Sequence, residues 1–175
     1  MPKNLNKKII ENIYTNIVKT SRNKKFFLEL EVDDTVEGRF DVIILHSFII
    51  FHYFIAIGEK NSKISQDIFD YMFLDFDSNL REMGFGDIAV NKRMKQFIKA
   101  FYGRISNYDR SVEAVEKLND HNLLRQTIQK NIYKDDYTKA GYISLWEKYI
   151  IANIGKFKKE NLKENISNYF DFNPI

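Results

Sequence analysis

The sequence predicts an all-α protein: a single-domain multi-helix bundle packed around a buried central helix at about residues 40–57. Only two prolines and seven glycines interrupt 175 residues, and such long unbroken segments favour helices over a strand-and-turn architecture. Apolar residues recur every third or fourth position through most of those segments, which is the period of one helix face. Hydrophobic residues make up 44% of the chain and aromatics 15%, far too apolar for a disordered chain and enough for one core over residues 1–175.

The elements follow in order. From Leu5 to Lys19, the residues Leu5, Ile9, Ile13 and Ile17 make one stripe with Ile10 and Tyr14 beside it, so residues 1–20 hold an amphipathic helix that packs on the surface of the core. Ser21 to Val36 is irregular, with Phe26, Phe27 and Leu30 anchoring a loop or a short helix. Thr35 is placed to cap the central helix, and Gly38 is tolerated in its first turn. The central segment, Phe40 to Ile57, approaches the ~20 residues of a bilayer span, yet Asp41, His46 and His52 lie inside it. Charged groups are costly in a bilayer core, so a helix covered on all sides by others is the better reading.

Ser62 or Ser65 is expected to cap a third helix, in which Ile64, Ile68, Met72, Phe76 and Leu80 form a continuous ridge. Gly84 ends it as a left-handed C-terminal residue. After that turn Val90, Met94, Phe97, Phe101, Ile105 and Tyr108 fall on one stripe, while Lys92, Lys95 and Lys99 point the opposite way. Arg93 and Arg104, eleven residues apart, share a shoulder of the stripe where their stems can lie on apolar surface. Asp109 to Asp120 reads as the long connection of the chain. Residues 121–170 hold the C-terminal helices: one at about His121 to Lys134, one at Tyr137 to Ile154, and a last at Lys159 to Phe170. The second carries Tyr142, Leu145, Trp146, Tyr149, Ile150 and Ile154 on its apolar side, so the sole Trp is assigned to the core.

Charge and composition bound the chemistry. The formal charge is +3 and the isoelectric point about 8.9, a mild excess that suits acidic surfaces such as RNA or anionic lipid. With no cysteine, disulfides, thiol catalysis and thiolate metal sites are excluded. The first residues move directly into an amphipathic pattern without the apolar core of a secretory signal, so a cytoplasmic location is expected. No Gly-x-Ser-x-Gly, phosphate-binding glycine loop, dinucleotide fingerprint or His-Glu-x-x-His occurs, so a non-enzyme without cofactor or metal is expected. Asp67, Asp70, Asp75 and Asp77 lack a calcium-loop pattern and read as solvated charge. His46 and His52 stand about 120° apart on a helix, too divergent to clamp one ion, and read as buried, hydrogen-bonded histidines. Gly103 falls inside a helix on its lysine-bearing side, where either the close approach of another backbone or a simple bend would explain it.

A family resemblance adds to this. Gly38-Arg39-Phe40-Asp41, the run Phe69-Asp70-Tyr71-Met72-Phe73 followed by Asp75-Phe76-Asp77, and the block from Leu80 to Asp109 with its Met83-Gly84-Phe85-Gly86-Asp87 turn stand in the same order and at similar spacing as the core of the ubiquinol–cytochrome c chaperone family. The resembling segment is residues 32–109. Asp33 departs from it, standing where the family's Val-Pro-Asp-Thr segment carries a proline. The resemblance implies an all-helical assembly factor for the cytochrome bc1 complex, whose client is newly made cytochrome b. In mitochondrial relatives such a protein works near the ribosome exit region with a small helical partner protein; the start of this chain resembles the bacterial form. It implies work at the inner face of the cytoplasmic membrane with peripheral membrane contact, and no DNA among the partners.

The mechanism so implied is binding without turnover, in an apolar groove bordered by aromatic and Met side chains. Its basic rim is expected from Lys92, Arg93, Lys95, Lys99 and Arg104, with Phe85 and Tyr102 as apolar contacts and Asp87 in the same turn as Phe85. Phe85 and Tyr102 would otherwise complete the core, Tyr102 sooner than Phe85. Two other classes compete. A basic RNA- or ribosome-binding module would use the lysine face and bind RNA with strong salt dependence. A peripheral membrane protein without a cytochrome b client would use the Phe40 to Ile57 helix or the N-terminal helix, and would sediment with liposomes.

Overall fold

The computed structural model describes residues 3–58, 62–159 and 170–175. Among these residues seven α-helices run in chain order: α1 (Lys3–Ser21), α2 (Lys24–Leu28), α3 (Val36–Ala56), α4 (Ser62–Glu82), α5 (Asp87–Leu118), α6 (Asn122–Tyr133) and α7 (Ile143–Lys159), with a 3₁₀ turn at Tyr137–Tyr142 before α7. No strand occurs among the described residues, and the chain is a single all-α domain. The helix expected from Lys159 to Phe170 lies almost wholly outside the described residues.

The centre is α3, which packs against α1, α4, α5, α6 and α7. It starts as the sequence predicts: Thr35 is extended, and its hydroxyl accepts a hydrogen bond from the Gly38 amide at 3.1 Å. Gly38 is required there and not merely tolerated, because a Cβ at this position would collide with the Asp33 carbonyl oxygen. By length and composition α3 could cross a membrane, but most of its side chains are buried inside the protein. That is the packing of a core helix, and it explains why α3 is apolar nearly all round.

Aromatic pairs tie the neighbours to α3. Phe40 stacks on Phe97 of α5 at 4.2 Å between centroids, and Phe48 on Tyr108 at 5.2 Å; such pairs add about 1 kcal/mol each beyond their buried area. Phe26, the buried residue of α2, stacks on Trp146 at 5.0 Å. Trp146 in turn donates to the Tyr133 hydroxyl, which donates to the Leu30 carbonyl at 2.7 Å. The stretch after α1 is therefore anchored by the residues expected, Phe26 and Leu30 most deeply.

Three expectations are corrected. Asp109 to Asp120 is no connection: α5 continues for 32 residues to Leu118, and Asn119, in the left-handed conformation, ends it. Ser65 lies inside α4 and caps nothing. Leu145, expected on the buried side of the helix from Tyr137, is exposed, because residues 137–142 wind as a 3₁₀ turn and α7 begins afresh at Ile143, which takes the buried position.

Candidate functional site

The turn between α4 and α5 is built by backbone hydrogen bonds. Gly84, at φ +87°, donates to the Arg81 carbonyl, and the Phe85 amide donates to the Leu80 carbonyl. This is the paired arrangement that closes a helix on a left-handed glycine, and it sets Phe85 against Leu80. The turn is also stapled by charge: Arg81 binds Asp77 at 2.6 Å and pairs with Asp87. Asp87 sits in the first turn of α5, where the helix dipole favours an anion. Asp87 is thus engaged within the chain.

The eight residues predicted for the site separate into three groups. Phe85, Asp87 and Arg93 gather at the start of α5: the Arg93 guanidinium lies over the Phe85 ring at 4.7 Å and binds Glu37 of α3 at 2.7 Å. Lys92, Lys95 and Lys99 are exposed on the opposite side of α5, with Tyr102 beyond them. Arg104 turns inward. It is 19% exposed and binds Asp41, which is 1% exposed and also pairs with Lys134 at the end of α6. Burial pushes the Asp41 carboxyl up, while Lys134 and Arg104 pull it down. The expected order of the two aromatics is reversed. Tyr102 is 56% exposed, its ring tilted beside Phe69, whereas Phe85 is half-buried under Arg93.

A groove of about 360 Å³ opens between α1, α3, α4 and the start of α5. Phe40, Phe76, Leu80 and Phe97 are its most buried apolar lining residues, and Val18, Val36, Ile43 and Met83 are more exposed. Arg39 at the mouth binds Asp34 at 2.6 Å and lies over Phe27. Asp75 accepts the Tyr14 hydroxyl at 2.7 Å, where burial pushes the Tyr14 pKa up. Arg22, also at the mouth, has no ion pair among the described residues. Leu80 and Met83 place the α4–α5 turn at one end of this groove. Val18, Arg22 and Val36 carry no motif, and Arg39 was legible only as part of the Gly38–Asp41 segment; that they share a groove with Phe76 and Phe97 follows from the packing of the helices and not from spacing in the chain. Asp41, a lone acid inside an apolar run, was the readable sign that a cation must reach α3.

Histidine contributes no ion site. His46 is fully buried; its Nδ1–H donates to the Val42 carbonyl at 2.7 Å, so its Nε2 accepts the Tyr149 hydroxyl at 2.8 Å. His52 faces Asp109 at 3.1 Å and Glu116 at 3.5 Å. Among the described residues no group of three or more Asp, Glu or His side chains is placed to hold a metal ion. Around Gly103 a Cβ would find open space, so no other backbone among the described residues approaches it.

Comparison with known proteins bears on this arrangement. The chain is similar to the crystal structure of the Cbp3 homolog from Brucella abortus, with a TM-score of 0.81 and 28% identity over 97% of this chain and 91% of that one. It is 25% identical over 100 residues to the mouse ubiquinol-cytochrome c reductase complex assembly factor 1, covering 57% of this chain and 34% of the mouse protein. To the human protein of the same description it is 22% identical over 142 residues, which is 81% of this chain and 46% of the human one. The chain therefore spans less than half the length of these mammalian relatives. The family model described as ubiquinol-cytochrome C chaperone matches residues 28–170, which include α3 to α7 and every predicted site residue, and the chain belongs to that family.

Proposed function

We propose that this protein is a non-enzymatic assembly chaperone for the cytochrome bc1 complex, and that it holds newly made cytochrome b in the groove between α1, α3, α4 and α5. The observation that carries the reading is the groove itself: an open, largely apolar channel of about 360 Å³ in a chain of the ubiquinol-cytochrome C chaperone family. An immature membrane protein exposes apolar side chains, and covering them requires a preformed apolar surface and no bond-making chemistry. Met83 lines the groove at the α4–α5 turn, where a flexible thioether can adjust to different side chains, and Phe85 under the Arg93 guanidinium belongs to the same turn. Arg22 at the mouth, without an ion pair among the described residues, supplies a cation for a carboxylate of the client. The protein works at the inner face of the cytoplasmic membrane, beside its client. Deleting the gene and measuring cytochrome b, assembled bc1 complex and the other respiratory complexes tests the assignment. A selective loss of bc1 with cytochrome b is expected, and normal levels of both would reject it.

A further inference from the structure

The outer face of α5 plays no part in the groove. Ile88, Lys92, Lys95, Lys99 and Tyr102 recur every three or four residues and so project along one line of the helix, about 20 Å from end to end at 1.5 Å per residue. Phe97, which lines the groove, points the opposite way. No acidic residue occurs between Asp87 and Asp109. Of the five cations in that stretch, Arg93 is matched by Glu37 and Arg104 by Asp41, while Lys92, Lys95 and Lys99 make no ion pair among the described residues. Asp77 of α4 and Asp87 at the start of α5 are both engaged by Arg81. At the ends of the lysine line stand apolar tips, Ile88 at 88% exposure and Tyr102 at 56%, with Ile98 beside the line. Open space at Gly103 leaves the surface next to Tyr102 smooth.

Nothing inside the fold requires this arrangement. Ammonium groups in a row, ended by an aliphatic and a phenolic tip, match the boundary of an anionic bilayer, where lysines meet lipid phosphates and the tips enter the headgroup layer. RNA fits less well. Single-stranded RNA is held by stacking on exposed aromatics and by arginine planes, and here both arginines are taken by internal carboxylates and Tyr102 is the one aromatic on the line. We infer that the outer face of α5 docks the protein on an anionic phospholipid surface, leaving the groove free on the other side of the helix. Docking of this kind needs no client, so it is tested without one and stands or falls apart from the chaperone assignment.

The test is co-sedimentation of the full chain with vesicles of phosphatidylcholine alone and of phosphatidylcholine mixed two to one with phosphatidylglycerol. Binding to the anionic vesicles only is expected, and it weakens with added salt as the screening length falls from about 10 Å at 0.1 M to about 3 Å at 1 M. The triple variant Lys92→Gln/Lys95→Gln/Lys99→Gln lowers partitioning roughly a hundredfold. Removing three exposed charges elsewhere, in Lys24→Gln/Lys130→Gln/Lys148→Gln, leaves it near wild type. Ile88→Ser/Tyr102→Ser weakens binding at every salt concentration. Four results would overturn the idea: no sedimentation, equal sedimentation with neutral vesicles, equal losses in the two triple variants, or tighter binding to single-stranded RNA than to the anionic vesicles.

Discussion

His46 is fully buried with both ring nitrogens engaged, and burial lowers its pKa from 6.5 to about 4. In the unfolded chain the ring takes a proton below about 6.5, whereas the folded protein resists until about 4. Stability from this group is therefore complete above 6.5 and is lost as pH falls toward 4, by about 3 kcal/mol across that window. Urea unfolding at pH 7 and pH 4 checks it: the advantage of wild type over His46→Gln shrinks on acidification, and a constant difference would contradict the neutral, buried ring. Two glycines make a second, paired prediction. Gly38→Ala drives a methyl into the Asp33 carbonyl and costs about 2 kcal/mol. Gly103→Ala adds a methyl in open space on an exposed stretch of helix and gains about 1 kcal/mol. Thermal unfolding of both variants reads the opposite signs. Sequence alone placed both glycines in helices but could not separate them, because the difference is what lies beside each backbone.

At the level of elements, periodicity carried far where the buried side is apolar. Ile68, Met72, Phe76 and Leu80 of α4, and Val90, Phe97, Phe101 and Tyr108 of α5, are all buried as their spacing implied. It failed after Tyr108, where the buried side of α5 turns partly polar. Ser111 is fully buried, donating to the Asn107 carbonyl at 2.6 Å and lying 2.7 Å from the Thr127 hydroxyl of α6. A serine on the stripe looks like the end of a helix when its partner on another helix is unknown. The same blindness hid the junction of α3, α5 and α6, where Asp41 meets Arg104 and Lys134. Removing the carboxylate leaves the Arg104 charge largely enclosed, so Asp41→Ala is expected to cost about 3 kcal/mol in urea unfolding. Lys134, nearly half exposed, can turn to solvent and adds little. The double variant Asp41→Leu/Arg104→Met should recover most of the loss, since an apolar pair there buries no charge. Equal destabilisation in the single and double variants would show that packing, and not the ion pair, holds the three helices.

For the whole molecule, α5 separates two surfaces: Phe97 faces the groove and the lysine line faces away. The lysines were legible in the sequence because a helix face is a local pattern. The groove was not, because Val18, Val36, Phe76 and Phe97 come from four helices, and only the fold brings them together. α1, with Val18 at the groove, lies before the residues matched by the family model, and it is held by Ile10, Ile13, Tyr14 and Ile17 in the common core. Two surfaces on opposite sides of one helix predict that their activities separate. Val36 stands at the groove on the first turn of α3 and is only partly buried, so Val36→Trp places an indole in the opening without displacing a sealed side chain. In cells carrying this variant, cytochrome b co-purifying with the protein should fall at least tenfold, while vesicle binding and unfolding temperature stay near wild type. The triple lysine variant should do the reverse in vitro, losing vesicles while still binding a detergent-held cytochrome b fragment. If blocking the groove spared the client and removing the lysines abolished it, the client would sit on the outer face of α5, and the groove would be a feature of packing alone.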